Sequence, residues 1–163
     1  MRIIVLTEPQ GYSPKAIAAL KKLGSVYAWR DAVKNSSVLK KADILVVKLG
    51  MRISKEVMQG LPDLKIIATS TTGLNHIDTA SAEARGIKIV SLRGEGKFLK
   101  TIAPTAEETI GLAIALMRKL PWGFEAVKRG EWTREKFYGR ELRGRTLGIV
   151  GFGRLGSMVA RYA

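Results

Sequence analysis

The sequence predicts an α/β protein with a flavodoxin-like parallel sheet over residues 1–95 and the opening of a second α/β unit over residues 96–163. Three observations predict it. Five short apolar runs alternate with helical patterns before residue 95, which implies right-handed crossovers and a parallel sheet. The pattern changes after Ser91 to a Gly- and Lys-containing connection. A sixth apolar run then leads into closely spaced glycines near the end.

Residues 3–6 (IIVL) read as the first buried strand. Ser13 is placed to cap a helix, with Pro14 at the first helical position, where no N–H is needed. Ala16, Ile17, Leu20 and Leu23 recur at helical spacing, and Gly24 is expected to stop the helix. Residues 26–29 predict a second strand and 44–47 a third, after a short helix around 38–41. A helix over 54–59 is closed by Gly60 and Pro62. Residues 65–68 form the fourth strand. Asp78 caps a helix over 79–85, which Gly86 ends, and residues 87–90 form the fifth strand.

Beyond the connection at 93–100, Pro104 opens a long helix reaching Leu120. Glu107 and Glu108 suit its positive end, and Ile110, Ala113, Ile114 and Met117 form its apolar stripe. Pro121 is expected to stop it. A second helix over 121–129 ends at Gly130, a basic loop covers 131–145, and a sixth strand is predicted over 146–150.

Composition narrows the classes. The chain has 163 residues, no cysteine and one histidine, so thiolate sites and a multi-histidine metal centre are excluded. No apolar run approaches the roughly 18–20 residues of a membrane span. The start goes directly into a strand pattern, unlike a signal peptide, and a soluble, cytoplasmic protein is expected. The net charge is +14, densest in residues 118–163, which carry 11 basic and 4 acidic side chains. Such a surface suits phosphates, nucleic acid or anionic lipid. Basic residues punctuating helices and turns are the simpler reading, and no nucleic-acid motif accompanies the charge.

Gly151-Phe152-Gly153-Arg154-Leu155-Gly156 follows the sixth run and opens a helical stretch. This is strand, GxGxxG, helix, the context a Rossmann dinucleotide site requires. Gly151 permits the tight turn, Gly153 lets backbone approach a pyrophosphate, and Gly156 lets the helix pack closely. Amides at the helix start then face the phosphates with the dipole in favour. The acidic residue that reads the ribose is expected about 20 positions further on, past Ala163.

Three stretches together resemble the D-isomer-specific 2-hydroxyacid dehydrogenases, most closely members like D-3-phosphoglycerate dehydrogenase. They are IATSTTGLNHID from Ile67, APTAEETIGLAIALMR from Ala103 and GEWTREKFYGRELRGRTLGIVGFGRLG from Gly130. The resemblance implies a substrate domain over residues 1–95 and an incomplete NAD-binding domain over 96–163. It implies that the Thr72-Gly73-Leu74 amides grip the substrate carboxylate in an interdomain cleft, with Thr72 also near the nicotinamide. It implies that Arg154 and Leu155 supply amides to the pyrophosphate.

In such proteins hydride passes between C2 of a 2-hydroxy acid and the nicotinamide C4. The Arg, Glu and His that serve this reaction are expected C-terminal to residue 163, so these residues alone are not expected to catalyse it. Lys48 stands where many relatives have Arg and is a candidate for an anionic substrate group, although Lys lacks the planar fork. A solvated loop Lys is the simpler reading. His76 is read as structural, and Trp132 and Tyr138 as anchors that pack the basic loop. Because a lone strand is not independently stable, residues from about 140 onward are expected to be poorly ordered or paired with another chain. The uncovered helix stripe suits a homodimer, or cover from a C-terminal half. Two other readings stand beside the enzyme: a non-catalytic nucleotide- or phosphate-binding or interaction module, and a basic nucleic-acid binder.

Overall fold

A computed structural model describes all residues, Met1–Ala163, and they gather into two compact units, Met1–Gly96 and Lys97–Ala163. The first holds one five-stranded parallel sheet: β1 (Arg2–Leu6), β2 (Gly24–Ala28), β3 (Ile44–Val47), β4 (Ile66–Thr69) and β5 (Lys88–Val90), in the order β2-β1-β3-β4-β5. That is the flavodoxin-like order expected from alternating runs. Ile4 aligns with Ile44, Ile44 with Ile66, and Ile66 with Lys88.

Side chains alternate across the sheet, and this splits the core. Ile4, Leu6 and Val46 face one side, where Tyr12, Ile17 and Leu20 cover them. Val5, Leu45, Val47 and Ile67 belong to the larger cluster, with Ala32, Ala42, Met58, Leu61, Leu64, Ala82 and Ile87. The helices are α1 (Pro14–Lys21), α2 (Trp29–Lys34), α3 (Ser36–Lys40), α4 (Lys55–Gln59) and α5 (Thr79–Ala84). Ser13 caps α1, accepting a hydrogen bond from the Ala16 amide at 3.2 Å. The Arg85 guanidinium ties the end of α5 to the turn after α4, donating to Met58 O, and to Leu61 O at 2.9 Å.

Two local expectations are corrected here. Gly24 does not stop α1, which ends at Lys21 with Lys22 as its C-cap; it opens β2 instead. A Cβ on Gly24 would strike the Arg2 carbonyl, so glycine there serves strand-to-strand approach. Trp29 leaves the predicted second strand to begin α2.

A short helix, α6 (Gly96–Leu99), leads into the second unit, which contains α7 (Pro104–Met117), α8 (Leu120–Lys128) and α9 (Arg154–Tyr162). Pro121 does not stop α7; it sits in the first turn of α8. The break comes at Lys119, the one non-glycine residue with positive φ (54°). Residues 146–150 form no strand, because no neighbouring strand satisfies their backbone. Ile149 instead packs with Ala106, Ile110, Leu155, Met158 and Val159, where α9 lies against α7. The expected disorder or inter-chain pairing is thus replaced, for α9, by packing within the chain. Trp132 is 90% exposed and anchors nothing. Main-chain and lysine contacts hold the basic loop: the Arg140 amide donates to Met117 O at 2.8 Å, and Lys119 Nζ to Lys136 O at 3.3 Å.

Candidate functional site

In a parallel sheet, ligands sit beyond the carboxyl ends of the strands, commonly where the strand order reverses. Here that reversal lies between β1 and β3, and it is filled from within. The Glu8 carboxylate accepts from the Lys48 amide at 3.2 Å and from the Gly50 amide at 3.1 Å. The Lys48 ammonium donates to Gly11 O and lies 4.7 Å from the Tyr12 ring centroid, a cation–π contact. Burial, and then Glu8, push the Tyr12 phenol above its ordinary pKa. A Cβ on Gly11 would strike Lys48, and one on Gly50 would strike Glu8. Lys48 therefore belongs to this plug.

One strand further along, the sheet edge is open. The loop after β4 and the turn after β5 share a cavity of 350 Å³, lined by Thr72, Gly73, Leu74, Asn75, Ile77, Thr79 and Arg93. Lys48 is not among these residues. The loop is firmly held. Buried Thr69 (6% exposed) shares hydrogen bonds with the Thr71 hydroxyl at 3.0 Å and His76 Nε2 at 3.4 Å. The Thr71 hydroxyl donates to Gly73 O at 2.7 Å. The Ile53 amide donates to His76 O at 2.7 Å, and the Asp78 amide to Ile53 O at 2.9 Å.

Asp78 then caps α5 through the Ser81 amide at 3.0 Å. The Ser81 hydroxyl first, and then its amide, hold the Asp78 carboxyl below its ordinary pKa. So braced, the Thr72, Gly73 and Leu74 amides donate to no acceptor in the protein, and a Cβ on Gly73 would meet open space. Free main-chain donors on a pinned turn can cradle an anion. The same braces occupy the His76 ring with Thr69.

The second candidate site opens α9. Gly151 has φ +92°, a conformation that side chains disfavour. Gly156 brings helix and preceding turn together: its Cβ would strike Gly151 O. Gly153 differs, because a Cβ there would meet nothing. It is the N-cap of α9 without a side chain to occupy the first-turn amides, and those of Arg154, Leu155 and Gly156 have no acceptor in the protein. Arg154 Nη1 donates to Leu99 O at 3.0 Å and Ile102 O at 3.1 Å, which fixes the turn to the end of α6. The Ser157 amide closes it on Gly153 O at 2.9 Å. An open, preorganised row of amides at a nine-residue helix suits a pyrophosphate. The residues present fit the dinucleotide that the motif implies.

The family model described as the D-isomer specific 2-hydroxyacid dehydrogenase catalytic domain matches residues 4–96. That family's NAD binding domain matches residues 110–163. The chain belongs to the D-isomer specific 2-hydroxyacid dehydrogenase family. It is 34% identical over 162 residues to D-3-phosphoglycerate dehydrogenase of Methanocaldococcus jannaschii, covering 98% of this chain and 30% of that protein. Glyoxylate reductase of Pyrococcus furiosus is 38% identical over 132 residues, covering 77% of this chain and 38% of that protein. D-Lactate dehydrogenase of Aquifex aeolicus, crystallised with NAD and lactic acid, superposes with a TM-score of 0.75 at 29% identity. That match covers 98% of this chain and 47% of that one. The chain thus spans about a third of the curated relatives' length and about half of the solved chain.

Sequence reasoning passed over Arg93. The available signal was its position three residues past β5, whose carboxyl end opens on the same edge as that of β4.

Proposed function

We propose that residues 1–95 and 96–163 are the substrate domain and the start of the nucleotide domain of an NAD-dependent dehydrogenase acting on D-2-hydroxy and 2-oxo acids. Thr72, Gly73 and Leu74 bind the substrate carboxylate through their amides, and Thr72 also borders the nicotinamide. Gly151, Gly153, Arg154, Leu155 and Gly156 hold the cofactor pyrophosphate. When bound, NAD accepts or returns the hydride at C2 of the acid. The part of these residues is to orient both molecules. Proton transfer is assigned to none of them, since the single histidine is occupied with Thr69.

The observation that carries this reading is the contrast within the glycine motif. Gly156 is required by packing, whereas nothing in the protein requires Gly153 to lack a side chain. A ligand approaching the unpaired amides of α9 supplies that requirement. The test is titration of the chain with NADH, followed by backbone NMR of residues 151–156. Wild type should show saturable shifts there at millimolar cofactor, and Gly153→Ala should lose them while keeping its spectrum elsewhere. Equal shifts in both proteins would overturn the assignment.

The setting we infer is cytoplasmic, with a second copy covering exposed Leu112, Leu116 and Phe124 of α7 and α8. No helix of the chain is long and apolar enough to cross a membrane. Sedimentation should show a dimer that dissociates when Leu112 and Leu116 are changed to Ser.

A further inference from the structure

We propose that Arg93 is a specificity-determining residue: it recognises a second anionic group, carboxylate or phosphate, on the 2-hydroxy acid whose first carboxylate lies on Thr72–Leu74. The inference rests on the cradle reading above and adds to it a substrate class, acids with two anionic groups.

Four observations carry it. Arg93 lines the same 350 Å³ cavity as Thr72, Gly73 and Leu74, and it is the one charged residue there. Its turn is fastened to the cradle, since the Leu92 amide donates to Thr71 O at 3.0 Å. The turn itself is fixed: the Arg93 amide donates to Ser91 Oγ at 3.2 Å, the Glu95 amide to Leu92 O at 3.2 Å, and Gly94 takes φ +92°. Finally, the Arg93 guanidinium makes no hydrogen bond or ion pair within the protein. Lys48, the cation just past the carboxyl end of β3, is committed to Gly11 O and Tyr12.

One carboxylate satisfies the three amides. A guanidinium in the same cavity is then surplus to a ligand such as lactate and stays in water. For a ligand with a second anion it offers a planar fork that matches carboxylate or phosphate oxygens in pairs. Thr72, Asn75 and Thr79, the other polar side chains lining the cavity, complete a wall that presents no carboxylate to repel it.

The test is titration of the full chain with D-lactate, D-malate and D-3-phosphoglycerate, read by backbone NMR at Thr72–Leu74, for wild type, Arg93→Gln and Arg93→Lys. The cradle amides should shift with all three acids in all three proteins. Arg93→Gln should weaken D-malate and D-3-phosphoglycerate by about tenfold, leave D-lactate unchanged, and be partly rescued by Arg93→Lys. A larger loss for D-3-phosphoglycerate assigns the second group as phosphate, and equal losses assign either anion; both support the proposal. Unchanged affinity for both dianionic acids in Arg93→Gln, with the cradle still shifting, overturns the role of Arg93 alone. Cradle amides that shift with none of the acids overturn the carboxylate reading, and the role of Arg93 with it.

Discussion

The first unit buries its apolar runs as paired strands, with Val5, Leu45, Val47 and Ile67 on one face and Ile4, Leu6 and Val46 on the other. The second has an equally apolar run at residues 146–150, yet only Ile149 is drawn into a small cluster, and Leu147 and Val150 stay exposed. The difference teaches that an apolar run becomes a strand only where a neighbour accepts its hydrogen bonds. The glycine turn of the second unit does not wait for that neighbour, because packing of α9 on α7 and the Arg154 contacts hold it.

The comparison is tested most severely in the cores. Leu45→Ala should cost about 3 kcal/mol, and Met158→Ala, in a cluster free to collapse, about 1–2 kcal/mol. Urea unfolding followed by Trp29, which packs on the first core, should move only for Leu45→Ala. Equal movement for Met158→Ala would break the distinction between the units.

Within the glycine turn, Gly156→Ala forces α9 from Gly151 and should cost about 2 kcal/mol, measured as lost amide-exchange protection in α7 and α9. Gly153→Ala should leave that protection within about 0.5 kcal/mol of wild type. If both lose it, the open space at Gly153 is not free for a ligand.

A smaller effect belongs to pH. The Ile3 amide at 2.9 Å, followed by Lys65 at 3.1 Å, holds the Asp43 carboxyl below its ordinary value. A lowered folded-state pKa means stabilisation that is complete above the unfolded value, near 4, and lost as pH falls through the folded value. Asp43→Asn should therefore cost about 1 kcal/mol at neutral pH and flatten the profile below about pH 4. The urea midpoint of the Trp29 transition against pH measures it, and a wild-type profile equally flat there would remove the role of Asp43. Least of all, Lys119→Gly should stabilise the second unit by about 0.5 kcal/mol, relief of the left-handed backbone outweighing glycine's entropy and the lost bond to Lys136 O. Reduced exchange protection in α8 would count against this.

The sheet was legible because its strands are continuous apolar runs bounded by turn residues, and the caps at Ser13 and Asp78 are local chemistry. The helix α2 was not, because Ala28 offers no capping side chain and Trp29 favours strands. Within the candidate site, the glycine spacing was readable from a short motif, and the Thr72–Leu74 loop only through the family resemblance. Arg93 was not, because its meaning depends on two strands whose register pairs residues 22 apart, Ile67 opposite Ile89 among them, ending side by side. The contacts of Lys48 were hidden for a similar reason: its place after a strand suggests a ligand or a solvated loop, and Glu8 and Gly11, which engage it, lie far off in sequence.

With Glu8, Lys48 and Tyr12 closing the crevice between β1 and β3, the open cavity lies at the outer rim of the sheet, where β5 is only three residues long. On the proposed reading, ligand preference depends on a short segment, Ser91–Glu95, none of whose residues is buried. Such a segment tolerates replacement that the central strands would not, so one scaffold of this kind can change its acid by exchanging a handful of rim residues while the sheet stays as it is.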